Sequence, residues 1–154
     1  MKNNPLPASA LFDEHTFYRQ FIYDLQHCQR EVIIESPFIS SARMKFLYPV
    51  FESLVNNGVK VYVFTRDPKE HRRPMAEQAD YEITRFEYLG VQPFICKGNH
   101  HRKLAIIDRT ILWEGSLNIL SQIKSREIMR RIEDEESAIY MVKFINYEKC
   151  IGSR

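Results

Sequence analysis

Four apolar residues, Leu104-Ala105-Ile106-Ile107, stand between Lys103 and Asp108, and a second apolar run, Ile111-Leu112-Trp113, follows soon after. A short apolar run bounded by polar residues suits a buried strand. Two such runs about a tight polar link read as a hairpin. Side chains alternate across a strand, so His101 and Lys103 leave by one face and Leu104, Ile106 and Asp108 by the other. The imidazole and the ammonium are thereby neighbours. Asp108 does not join them; its expected task lies at the strand end, holding the turn or pairing with a nearby base. The hairpin delivers Gly115, which permits close backbone approach, beside Ser116 and Asn118.

These residue types suit one chemistry. An imidazole can attack phosphorus and form a covalent phosphohistidine. Charge developing on the equatorial oxygens needs fixed donors, which Lys103, Ser116 and Asn118 supply, the last two without adding charge. The leaving oxygen needs a proton, and a second histidine is the natural acid at neutral pH. No carboxylate cluster of the kind that holds Mg²⁺ accompanies these residues, so the site reads as independent of metal and cofactor.

The full spacing H-x-K-x4-D-x6-G-S-x-N is met by His101, Lys103, Asp108, Gly115, Ser116 and Asn118. It resembles the motif of the phospholipase D superfamily. The layout of residues 8–150 is similar to the small single-motif bacterial endonucleases of that group. The resemblance implies a phospholipase D-like α/β sandwich, a mixed sheet flanked by helices on both faces. It implies a phosphodiesterase, a DNA endonuclease above all, working through a phosphohistidine. It also implies a catalytic set of His101, Lys103, Asp108, Asn118 and Glu127, in which Glu127, in Ser125-Arg126-Glu127-Ile128-Met129, orients His101. Members with two motifs fold them into one pseudo-symmetric site. This chain has one motif, because His15, His27 and His71 lack a lysine two residues on. The resemblance therefore implies a homodimer with a shared site, in which one His101 attacks and the other protonates the leaving group. The segment 125–132 is similar to modules attached to helicase-like proteins, which makes a helicase or another recruiting protein a candidate partner. His100 adjoins the motif but points to the opposite face, where a structural role is expected.

Net charge is only +2 over 154 residues, too little to argue for nucleic acid by itself. The distribution says more. Basic residues gather at Arg66 to Arg73, around the motif, and from Lys124 to Arg131, while acidic ones collect at Glu133 to Glu136. From the basic clusters, Arg66, Lys97, Arg102, Lys124 and Arg126 are candidates for binding DNA, or RNA, in a salt-dependent manner. Trp113 is expected in the core, with base stacking as its alternative. The three cysteines, Cys28, Cys96 and Cys150, form no C-x-x-C pair and read as free thiols. With no signal-peptide core and no long apolar span, the cytoplasm is the expected compartment and no membrane contact is expected. A phospholipid or other small diester is a second substrate reading. A non-catalytic DNA-binding or assembly module is a third, of another class.

The remaining pattern alternates strands with helices. Residues 1–7 read as an irregular leader, 8–150 as one domain and 151–154 as a tail. Phe17, Phe21 and Leu25 fall four apart and predict a helix from Ala10 to Gln29. Strands are expected at 31–35, 59–64, 91–96, 103–108, 111–113 and 126–132. Helices are expected up to Asn57, with Pro49 kinking it or marking a fresh start, from Pro74 to Gly90, and onward from Glu133.

Overall fold

A computed structural model describes residues 6–152. The chain runs β1 (Ser9–Asp13), α1 (Phe17–Gln26), β2 (Glu31–Glu35), α2 (Ser41–Asn56), β3 (Lys60–Arg66) and α3 (Met75–Leu89). It continues with β4 (Gln92–Cys96), β5 (Leu104–Ile107), β6 (Ile111–Gly115), β7 (Ile128–Glu133), α4 (Glu135–Ile145) and α5 (Glu148–Ile151). All seven strands join in one sheet, ordered β1-β7-β6-β5-β2-β3-β4. β2, β3 and β4 are parallel to one another; β5, β6, β7 and β1 continue the sheet by antiparallel pairing.

Helices cover both faces, as expected for an α/β sandwich. Alternate residues of the central strands point to opposite sides. Val32, Ile34, Val61, Val63, Ala105 and Ile107 pack with α1, α2 and α3. Ile33, Tyr62, Phe64, Leu104, Ile106 and Leu112 pack with Ala138 and Val142 of α4 and with Tyr147. The Asp134 side chain caps α4 by accepting the Ser137 N–H, and Glu135 and Glu136 favour its dipole. α2 runs through Pro49 without ending there.

The largest departure from expectation lies at the start. Ala10 to Asp13 is not helical; it belongs to β1, which pairs with β7 from Ser9↔Ile132 to Asp13↔Ile128. The apolar stripe of Phe17, Phe21 and Leu25 is helical as read, but its helix begins only at Phe17. Two interactions stop it earlier. The Asp13 carboxylate accepts the N–H groups of His15 and Thr16, which fixes a turn rather than a helical residue. Phe12 turns inward and meets the Trp113 ring edge-on at 5.0 Å. Of the expected leader and tail, residues 1–5 and 153–154 lie outside the described residues; Leu6 and Pro7 are irregular, and Ile151 closes α5.

Candidate active site

β5 pairs antiparallel with β2, so its beginning lies beside Glu35, at the end of the sheet where the parallel strands finish. β6 ends and β7 begins at the same edge, through the pairing of Gly115 with Met129. The motif thus arrives where three chain crossings meet. An open cleft of about 1380 Å³ lies there, and His101, Lys103, Ser116, Asn118 and Glu127 all line it.

His101 and Lys103 are neighbours, as strand alternation requires. Lys103 Nζ is 2.8 Å from His101 Nδ1 and 2.6 Å from the His101 carbonyl oxygen, donating to both. Burial pulls the lysine below its ordinary pKa, opposed by the Glu127 carboxylate. The Phe38 ring stands edge-on to the imidazole at 6.0 Å, a contact that nothing in the motif signals.

Ser116 and Asn118 differ from each other. The Ser116 hydroxyl accepts the Ile128 N–H at 3.0 Å, and its own N–H donates to the Ile128 carbonyl at 2.9 Å. It stitches the turn to β7 as well as facing the cleft. Asn118 carries a buried Oδ1 without a hydrogen-bond partner among the described residues. Gly115 is required by crowding: a Cβ there would collide with the Ile128 carbonyl and lie 2.9 Å from Met129 Cα. The close approach that glycine permits is to the neighbouring strand.

Glu127 stands immediately before β7, and its N–H donates to Glu14 Oε2 at 3.0 Å. Its carboxylate accepts from Ser125 Oγ at 2.9 Å rather than from the His101 ring. Asp108 is at the other end of β5, away from the cleft. Its carboxylate accepts the N–H groups of Gln29, Arg30 and Glu31 at 2.8, 2.7 and 3.0 Å, and the Cys28 thiol lies at 3.4 Å. Burial pushes its pKa up, but these donors outweigh it and hold the group below its ordinary value. Asp108 and Arg109 both have φ of 52°, the left-handed pair that a tight primed turn requires. Asp108 thus lies apart from the catalytic set in which it was expected, and its carboxylate ties the hairpin to the residues that open β2.

The basic candidates separate. Arg102 and Arg126 line the cleft, joined by Arg130. Arg66 donates to Asn99 Oδ1 at 2.7 Å and pairs with Glu70, outside the cleft lining. Lys97 and Lys124 are exposed but are not among the lining residues. Arg131 is buried, paired with Asp24 at 2.8 Å. Acidic residues were expected elsewhere, yet Asp13, Glu14 and Glu114 join Glu127 in the cleft wall. They come from the end of β1, the turn after it and β6, brought in by pairings that residue-by-residue reading does not reveal. Trp113 is fully buried against Phe12, Phe17 and Phe21, with Nε1 donating to Asp24 at 3.0 Å, so base stacking is excluded. The His100 ring is buried and its pKa is lowered to about 4, first by desolvation and then by Arg102, which fits the structural role expected of it.

Fold and site together define a hydrolase of the phospholipase D type. A family model described as "Cardiolipin synthase, PLD-like domain" matches residues 21–147, and the chain belongs to that family. Among solved structures it is similar to NucT from Helicobacter pylori, with a TM-score of 0.68 and 19% identity over 94% of this chain and 96% of that one. It is similar to the phospholipase D family member Nuc from Salmonella typhimurium, with a TM-score of 0.70 and 14% identity over 88% of this chain and 91% of that one. It also shares its fold with 55% of TrmBL2, an archaeal chromatin protein, covering 96% of this chain at 13% identity and a TM-score of 0.63. No curated protein matches the chain. No helix among the described residues is long and apolar enough to cross a membrane.

Proposed function

We propose that the chain is a DNA endonuclease that cuts phosphodiesters without a metal ion, at a site shared by two subunits. The observation that carries this reading is the His101–Lys103 contact at 2.8 Å in an open cleft that also holds Ser116 and Asn118. His101 Nε2 attacks phosphorus, and the leaving oxygen takes its proton from His101 of the partner subunit. Water, deprotonated by that same partner imidazole, then releases the phosphohistidine. While Lys103 donates to Nδ1, a neutral ring carries its proton on Nε2 and cannot attack. Substrate resolves this: phosphate draws the ammonium away, solvent relays the ring proton from Nε2 to Nδ1, and the Glu127 carboxylate accepts the hydrogen bond from the new Nδ1–H. Asn118 donates its amide N–H to an equatorial oxygen. Arg102 and Arg126 contact neighbouring phosphates; Arg66, Lys97 and Lys124, if they bind DNA, do so beyond the cleft.

Each subunit supplies one motif histidine, so the two-fold axis passes beside the cleft. Leu11 and Ile128, exposed to 61% and 62% at the cleft wall, favour a second copy there. The domain 8–150, a cytoplasmic setting and recruitment by a helicase-like protein belong to the same proposal.

The test is incubation with plasmid, single-stranded DNA, RNA and phospholipid vesicles in excess EDTA, followed by acid-labile phosphoenzyme trapping. Cleavage of DNA with label on His101 is expected. Activity abolished by EDTA would overturn the metal-free mechanism, and DNA binding without cleavage of any diester would favour the non-catalytic module. Sedimentation should show a dimer; an active monomer would sink the shared site.

A further inference from the structure

The segment that presents the catalytic pair is not held by the sheet. β5 begins at Leu104, and residues 100–103 are irregular. Its backbone meets β6 through a long bond, Gly115 N–H to the Lys103 carbonyl at 3.4 Å. Side chains must therefore fix it. Arg102 borders the cleft beside His101 and Lys103, and its Nη2 donates to Glu35 Oε1 at 2.8 Å.

Glu35 is an unusual anchor. It ends the central strand β2 with its side chain only 1% exposed, whereas the Arg102 side chain is 52% exposed at the cleft. Burial pushes its carboxyl pKa up, opposed by the Arg102 guanidinium and the Tyr147 hydroxyl. A carboxylate taken out of water is costly unless paired. His100 cannot serve as that partner, because its ring is 6% exposed, stays neutral at pH 7 and leaves Nε2 without a bond. The charge on Arg102 is what Glu35 has, and the two are locked together across the catalytic segment.

We propose that Glu35 is a positioning residue for the proposed phosphodiester cleavage. It grips Arg102 from below and so sets the backbone of residues 101–103, aiming His101 and Lys103 into the cleft. This rests on the reading of His101 as nucleophile. Misplacement by a fraction of an ångström is expensive in such a reaction, so the effect falls on turnover more than on substrate binding.

A pair of variants separates positioning from mere stability. Glu35→Gln should lower kcat on bis(p-nitrophenyl) phosphate about 10-fold and shift KM less than about threefold. Glu35→Asp keeps the charge but shortens the reach to Arg102, so its Tm should stay near the native value while kcat still falls. A native kcat in both variants, or a kcat that falls only as far as the folded fraction falls, would overturn the proposal and leave a purely structural ion pair. A second readout needs no activity: backbone amide exchange at residues 101–103 should quicken in both variants while residues 104–107 stay protected. Unchanged exchange at 101–103 would overturn it equally. If the native protein cleaves no diester, the nucleophile reading fails, and the exchange measurement still judges Glu35.

Discussion

The two ends of β5 are built in opposite ways. At its far end the Asp108 carboxylate is saturated, with three backbone N–H groups and a thiol converging on it. At its near end Lys103 leans on His101, Asn118 keeps an unused acceptor, and the backbone of 100–103 has left the ladder. One motif therefore spans two kinds of material. Its aspartate ties the hairpin to the start of β2, whereas its histidine, lysine and asparagine border the open cleft, where the lysine ammonium and the asparagine amide N–H can donate to an anion. A saturated group stabilises the fold and has nothing to offer a ligand; an unsaturated one costs stability and can bind.

Substitutions should divide along this line. His101→Ala should cost at least ~10³-fold in diester cleavage and leave the urea midpoint unchanged within error, measured by plasmid nicking beside an unfolding curve. Asp108→Ala should do the reverse. It strands three N–H groups and should lose about 2–4 kcal/mol in urea, with activity falling only as far as the folded fraction falls; a stable but inactive variant would move Asp108 into the chemistry. Gly115→Ala should separate β6 from β7 and cost about 1–3 kcal/mol, with a lower kcat as the Ser116 turn shifts. Trp113→Phe, far from the cleft, should lose about 1–2 kcal/mol through the broken bond to Asp24 and leave kcat alone.

The smallest effect concerns His100, which adjoins His101 but whose ring is buried. Its folded pKa, near 4, lies below the ordinary 6.5. The unfolded chain therefore binds a proton that the folded chain refuses, and stability rises with pH between about 4 and 6.5. It is complete above that window and lost as pH falls through it. His100→Asn should flatten that part of a Tm-against-pH curve; an unaltered slope would show that other groups dominate.

Much of this was legible in the chain. The hairpin and the His101–Lys103 neighbourhood follow from strand alternation, which is local. The buried strands β2 and β3 follow from unbroken apolar runs. β1 was not legible, because five residues with alternating exposure are too few to outvote the helical stripe beginning at Phe17. Its partner, Ile132, is remote in sequence. For the same reason the acidic members of the cleft wall were hidden: Asp13, Glu14 and Glu114 reach it only through sheet pairing. Glu35 gave no signal either, since a charged residue at the end of an apolar run usually marks the edge of burial, and here it is at the bottom.

The pairing of Ser9 with Ile132 joins the first strand of the chain to its last. Closing so long a loop is slow and comes late. During synthesis, β1 must wait unpaired until β7 leaves the ribosome, while the parallel half, β2 to β4, already has its strands and helices to hand. The cleft draws walls from both Leu11–Glu14 and Arg126–Arg130. A chain that stops short of β7 thus has a core before it has a complete cleft.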